Sequence, residues 1–160
     1  MNIKTKLTET DFINVSFVLL YDKLSTKILT GIGVLLLVFN VSAMIYEKQS
    51  SVSQLLSPAI LLVFLPLVTY FTAKRNYAAN KRISENIEYI FGEESLDIKG
   101  ESFNTQLTWD KIYKVTQSTN WILIWHTSQS ANPLPKRDVW DEQRELLKNI
   151  LDSHKVKNKL

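Results

Sequence analysis

Few residues in this chain combine the type and the spacing that chemistry requires. The two histidines, His126 and His154, each stand without a second ligand at metal-site spacing, and no cysteine is present to complete a site. Serine, threonine and aspartate are plentiful, yet no Gly-x-Ser-x-Gly elbow and no glycine-rich phosphate loop accompanies them. The expectation is therefore a protein that is not an enzyme, with no catalytic, cofactor-binding or metal-ligating residue and no cofactor.

What remains is charge. Lys74, Arg75, Lys81 and Arg82 fall within nine residues that hold no acidic side chain, whereas from Ile83 onward ten basic residues are set against twelve acidic ones. The net charge of +3 and the sequence pI of about 9.0 thus reflect one local cluster. A nucleic-acid-binding domain would carry its positive charge on the folded module, so no nucleic acid is expected as partner. Beside an apolar run, the same cluster reads as a contact with the membrane surface, where each basic residue gains about 1 kcal/mol from anionic lipids. Lys136 and Arg137 form a second pair, a candidate contact for a partner protein or an anionic head group.

The elements that position these charges begin with two apolar runs, Ile28 to Tyr46 and Leu55 to Ala73, neither of which contains Asp, Glu, Lys, Arg or His. Each is about nineteen residues long, enough at about 1.5 Å per residue to cross the roughly 30 Å core of a bilayer. The mean hydropathy of -0.07 hides them by averaging over polar flanks. Lys23 and Lys27 precede the first run, the four-residue basic cluster follows the second, and the connection from Glu47 to Gln54 holds Lys48 opposed by Glu47. The positive-inside rule then predicts an inner-membrane hairpin with both termini cytoplasmic. Asn40 is a candidate helix–helix contact, and Gly31, Gly33 and Ala43 are small residues suited to self-association into a homo-oligomer. Pro66 predicts a kink near Leu62.

Before the hairpin, Thr8 and Asp11 form a capping-box pattern, and Phe12, Val15, Val18 and Leu19 recur at helical spacing, which predicts an amphipathic helix within residues 1–27. Residues 28–82 form the hairpin with its basic end. Residues 83–160 change texture to short alternating strands: Ile87 to Phe91, Leu96 to Lys99, Phe103 to Trp109, Ile112 to Thr116, Trp121 to Trp125 and Ala131 to Leu134. The run WILIW predicts a central strand, and Trp109 reads as core. Asp138 is expected to cap a closing helix whose apolar stripe comprises Val139, Trp140, Leu146, Leu147, Ile150 and Leu151.

Taken together, Thr8-x-x-Asp11-Phe12, two apolar spans, a basic stop, Leu107-Thr108-Trp109-Asp110-Lys111-Ile112-Tyr113-Lys114-Val115 and Asn132-Pro133-Leu134-Pro135-Lys136-Arg137 before a closing helix resemble the YcxB-like family of bacterial membrane proteins. The resemblance implies an α+β membrane protein whose transmembrane hairpin is followed by a small pleckstrin-homology-like (PH-like) antiparallel sheet or barrel closed by one C-terminal helix. The functional expectation comes from the residues themselves: a minimal anchor joined to a compact strand-rich module that lacks chemistry reads as a cytoplasmic protein-interaction or regulatory module anchored to the lipid bilayer. Two other readings are an immunity protein that neutralises a cognate toxin or bacteriocin, and anionic-lipid sensing by the C-terminal domain.

Overall fold

The computed structural model describes residues 1–47 and 52–160. The expected inter-helix loop with Lys48 falls largely on residues 48–51, outside the described residues.

The first element is one that the sequence reading lacks. Residues Asn2–Lys6 form β1, which pairs antiparallel with β2, Asn86–Phe91, placing Ile3 opposite Tyr89 and Lys6 opposite Asn86. Ile3 and Thr5 are buried while Asn2, Lys4 and Lys6 are exposed, the period-two pattern of a strand with one wet face. Met1–Asp11 and Ala79–Leu160 consequently make one compact unit, and Phe12–Ala78 makes a second.

In the first unit, β3 (Ser95–Lys99) and β4 (Asn104–Thr108) extend the sheet in the order β1-β2-β3-β4. The register stacks Ile3, Tyr89 and Ile98 across one face, with Phe91, Leu96 and Leu107 forming the next row. A short 3₁₀ turn at Trp109–Lys111 leads to β5 (Lys114–Gln117), β6 (Trp121–Trp125) and β7 (Ala131–Pro135). In this second sheet β6 lies between β5 and β7 and every residue of WILIW is buried, as expected of a central strand. The Tyr89 hydroxyl donates to the Pro133 carbonyl at 3.0 Å, linking the two sheets. Burial without a charged partner pushes the Tyr89 phenol well above its ordinary pKa.

Helix α5, Asp141–Ser153, packs Leu147 and Leu151 into the same core as Leu96, Ile122 and Leu134. Two expectations about it are corrected. Asp138 is not its cap, because a 3₁₀ turn at Lys136–Asp138 intervenes and the helix starts after Trp140, whose N–H donates to the Gln143 side chain at 3.0 Å. Trp140 and Leu146 do not belong to the buried stripe; they are 74% and 52% exposed, since the helical turn that seats Leu147 and Leu151 leaves Leu146 on the solvent side.

The expected single sheet or barrel is also corrected. Among the described residues there are two open four-stranded sheets, and the second is mixed: β8, Asn158–Lys159, pairs parallel with β5. Its two residues follow the closing helix, and a segment that short has no readable strand period.

The second unit contains most of α1 (Glu9–Asp22), then α2 (Leu24–Glu47), α3 (Leu56–Ala59) and α4 (Leu65–Ala79). The stretches Leu24–Tyr46 and Leu56–Ala79 are long and apolar enough to cross a membrane, and most of their side chains are exposed. A π turn at Ile60–Phe64 separates α3 from α4. It contains Leu62, the residue whose carbonyl the Pro66 ring would strike in a regular α-helix, so widening the turn accommodates the proline. Gly33 permits a close approach at this place: a Cβ there would lie 2.9 Å from Leu62 Cδ2 and 3.3 Å from Leu61 Cβ, whereas one at Gly31 would meet nothing within 4 Å.

Candidate functional site

The polar junction nearest the start of α1 is built from both ends of the chain. Thr8 caps the helix by accepting the Asp11 N–H at 3.2 Å, and the Asp11 carboxylate accepts the Thr8 N–H at 2.9 Å and its hydroxyl at 2.7 Å. The capping box read from the sequence is therefore present. It leaves Asp11 able to accept more, and Arg137 uses that capacity with a two-pronged pair: Nη1 to Oδ1 at 2.6 Å and Nη2 to Oδ2 at 2.7 Å. The hydrogen bond from Arg137, ahead of those from Thr8, holds the Asp11 carboxyl well below the usual carboxylate range. The pair raises the Arg137 pKa in turn. Beside it, the Thr5 hydroxyl donates to Asp138 at 2.7 Å.

An open groove of about 670 Å³ runs from this junction along the outer face of β1, β2 and β3. The register crosses it with the alternating row Lys4, Glu88, Lys99, and the Lys4 ammonium lies 3.9 Å from Glu88. Its charges are thus largely matched to one another. Among the described residues no group of three His, Asp or Glu side chains is placed to hold a metal ion.

The sequence-predicted site residues fall in separate places. Lys74 and Arg75 lie exposed on α4. Lys81 and Arg82 sit in a 3₁₀ turn capped by the Asn80 side chain, which accepts the Arg82 N–H at 3.2 Å, and the Arg82 guanidinium stands 6.0 Å from the Phe103 ring centre. Lys136 is half-buried, and desolvation, followed by the nearby Arg144 charge, lowers its pKa. Arg137 is committed to Asp11. Asn40 is half-buried on α2. Trp109 is buried, donates through Nε1 to the Glu93 carbonyl at 3.1 Å and stacks on His154 at 4.9 Å. Thr5 and Asp138 as partners, and Asp11 as the partner of Arg137, were missed. The Thr8-x-x-Asp11 box was the only local signal, and it points to a helix start rather than to a distant arginine.

A further feature lies at the edge of β5. The Val115 N–H donates to the Lys157 carbonyl at 2.9 Å, and residues 156–160 alternate along that edge between inward Val156, Asn158 and Leu160 and exposed Lys157 and Lys159. The Asn158 side-chain amide donates to Asp152 at 2.8 Å.

No curated protein and no solved structure matches the chain. Residues 91–151, running from the end of β2 through most of α5, match the family model described as YcxB-like protein.

Proposed function

We propose that this is an inner-membrane protein whose two apolar helices span the bilayer and anchor a PH-like module in the cytoplasm, where the module binds another protein. The observation that carries this reading is the β1–β2 register, Asn2↔Ile90 to Lys6↔Asn86. These strands flank the hairpin in the chain, so a hairpin that crosses the bilayer must cross it an even number of times to leave β1 and β2 on one side. The positive charge at Lys74, Arg75, Lys81 and Arg82 supports the cytoplasm as that side. Four strands, then three, then a closing helix support the PH-like assignment.

Protein binding rather than catalysis is supported by large apolar side chains on the module that its own core does not use. Trp140 is 74% exposed and Tyr113 55%, and exposed aromatic residues are the usual anchors of protein interfaces. The test is a photo-crosslinking side chain placed at residue 140 of the full chain in native membranes. One discrete protein adduct is expected at residue 140 and none at a control placed at Asn104. Lipid-only adducts, or no adduct, would overturn the reading.

A further inference from the structure

The β5 edge is a site whose occupant is visible. Residues 156–160 lie there as an extended segment that buries Val156, half-buries Asn158 and Leu160, and leaves Lys157 and Lys159 in solvent. Their strand pairing is short. β8 has two residues, pairs in parallel with β5, and is joined to α5 through Lys155, whose φ of 57° places a non-glycine residue in the left-handed region. Parallel pairing is somewhat weaker per residue than antiparallel pairing, and left-handed backbone is unfavourable for a residue with a Cβ.

The geometry points to strand addition. We propose that the β5 edge, with the adjoining face of α5, accepts an extended segment of a partner protein in place of this chain's own residues 156–160. The binding chemistry is set by what the present occupant uses. A first apolar side chain fills the place of Val156, which is 6% exposed. Two residues on, a hydrogen-bond donor reaches Asp152 as Asn158 does at 2.8 Å. Two residues further, a second apolar side chain takes the position of Leu160 beside Arg144 and Lys148. The main chain of the segment accepts the Val115 N–H, as Lys157 does now. This is peptide recognition by addition of a strand, with main-chain bonds for affinity and alternate side chains for specificity. The chain's own segment is then a competitor held at an effective concentration on the order of 1 mM, so the site is restrained until a better-matched segment displaces it.

The inference rests on the protein-binding reading above and adds the place and form of the contact. Its test uses the full chain in detergent or nanodiscs and a labelled synthetic peptide of the sequence KVKNKL, residues 155–160. The Val156→Asp variant, whose own segment has lost its anchor, should bind this peptide at least about tenfold more tightly than the intact chain does. A peptide with serine at the positions of Val156 and Leu160, which keeps the charge, should not bind. Equal or absent binding of KVKNKL by a folded Val156→Asp chain would overturn the inference. If that variant does not fold, hydrogen exchange in the intact chain decides. Release of residues 156–160 should make the Val115 N–H exchange at least about tenfold faster than the Tyr113 N–H, which is bonded to Trp125 at 2.8 Å; equal rates would overturn it. An adduct at residue 140 in native membranes that the KVKNKL peptide fails to compete away would leave the protein-binding reading intact and remove only this site.

Discussion

Asp11 and Arg137 meet through two hydrogen bonds, of 2.6 and 2.7 Å, across 126 residues of sequence. The pair ties the cap of α1 to the turn that precedes α5, so residues from before and after the apolar hairpin share one polar junction. The Asp11 side chain is 12% exposed and that of Arg137 52%, which puts the contact between a buried ion pair and a surface one. We expect Arg137→Ala to destabilise the module by about 2 kcal/mol in chemical denaturation, the range for hydrogen bonds to a charged group tempered by solvent screening. Arg137→Lys should recover less than half of that loss, because an ammonium cannot reproduce the two-pronged geometry.

The same pair gives a pH dependence of known sign. The folded-state pKa of Asp11 is depressed, so its contribution is fully present above the unfolded carboxylate value. It is lost as pH falls from about 5 through that value toward the depressed one. Stability measured between pH 7 and pH 3 should therefore fall on acidification, and Asp11→Asn should flatten the fall. An unchanged acid slope in Asp11→Asn would show that other carboxylates dominate.

On α5 the two adjacent leucines should behave oppositely. Leu147 is fully buried and Leu146 is 52% exposed, so Leu147→Ala should cost about 3 kcal/mol and Leu146→Ala less than about 0.5. Trp140→Ala should likewise leave stability nearly unchanged while weakening the proposed protein contact. Comparable losses at Leu146 and Leu147 would mean that the helix is rotated from the orientation described.

In the hairpin the contrast is between two glycines. A side chain at Gly33 meets Leu62 and Leu61, and one at Gly31 meets open space. Gly33→Leu should destabilise the helix pair by about 1–3 kcal/mol, the usual cost of overpacking, seen as a lower melting temperature in detergent. Gly31→Leu should have little effect.

Much of this architecture was legible because it is local and periodic. The two apolar runs, the WILIW strand, the Thr8 capping box and the buried Trp109 each announce themselves within a few residues. The missing parts are non-local or too short to carry a period. β1 offers only Ile3 and Thr5 as inward residues, and its partner lies about eighty residues away at Ile87 to Ile90. β8 is two residues long. Asp138 looked like a helix cap because its residue type favours that role, yet its carboxylate serves Thr5 instead. For the candidate site, the sequence indicated Lys136 and Arg137 as a contact for a partner or an anionic head group, whereas the structure pairs Arg137 with Asp11.

The central claim is that a module assembled from both ends of the chain sits on one side of a membrane, with the hairpin inserted between β1 and β2. The chain has no cysteine, so single-cysteine accessibility to a membrane-impermeant maleimide tests it directly. Lys4→Cys, on β1, and Asn120→Cys, beside β6, should both be protected in intact spheroplasts and labelled in inside-out vesicles, whereas Ser53→Cys, between the two spans, should show the reverse. Labelling of residues 4 and 120 from opposite sides, or of residue 53 from the same side as both, would contradict it.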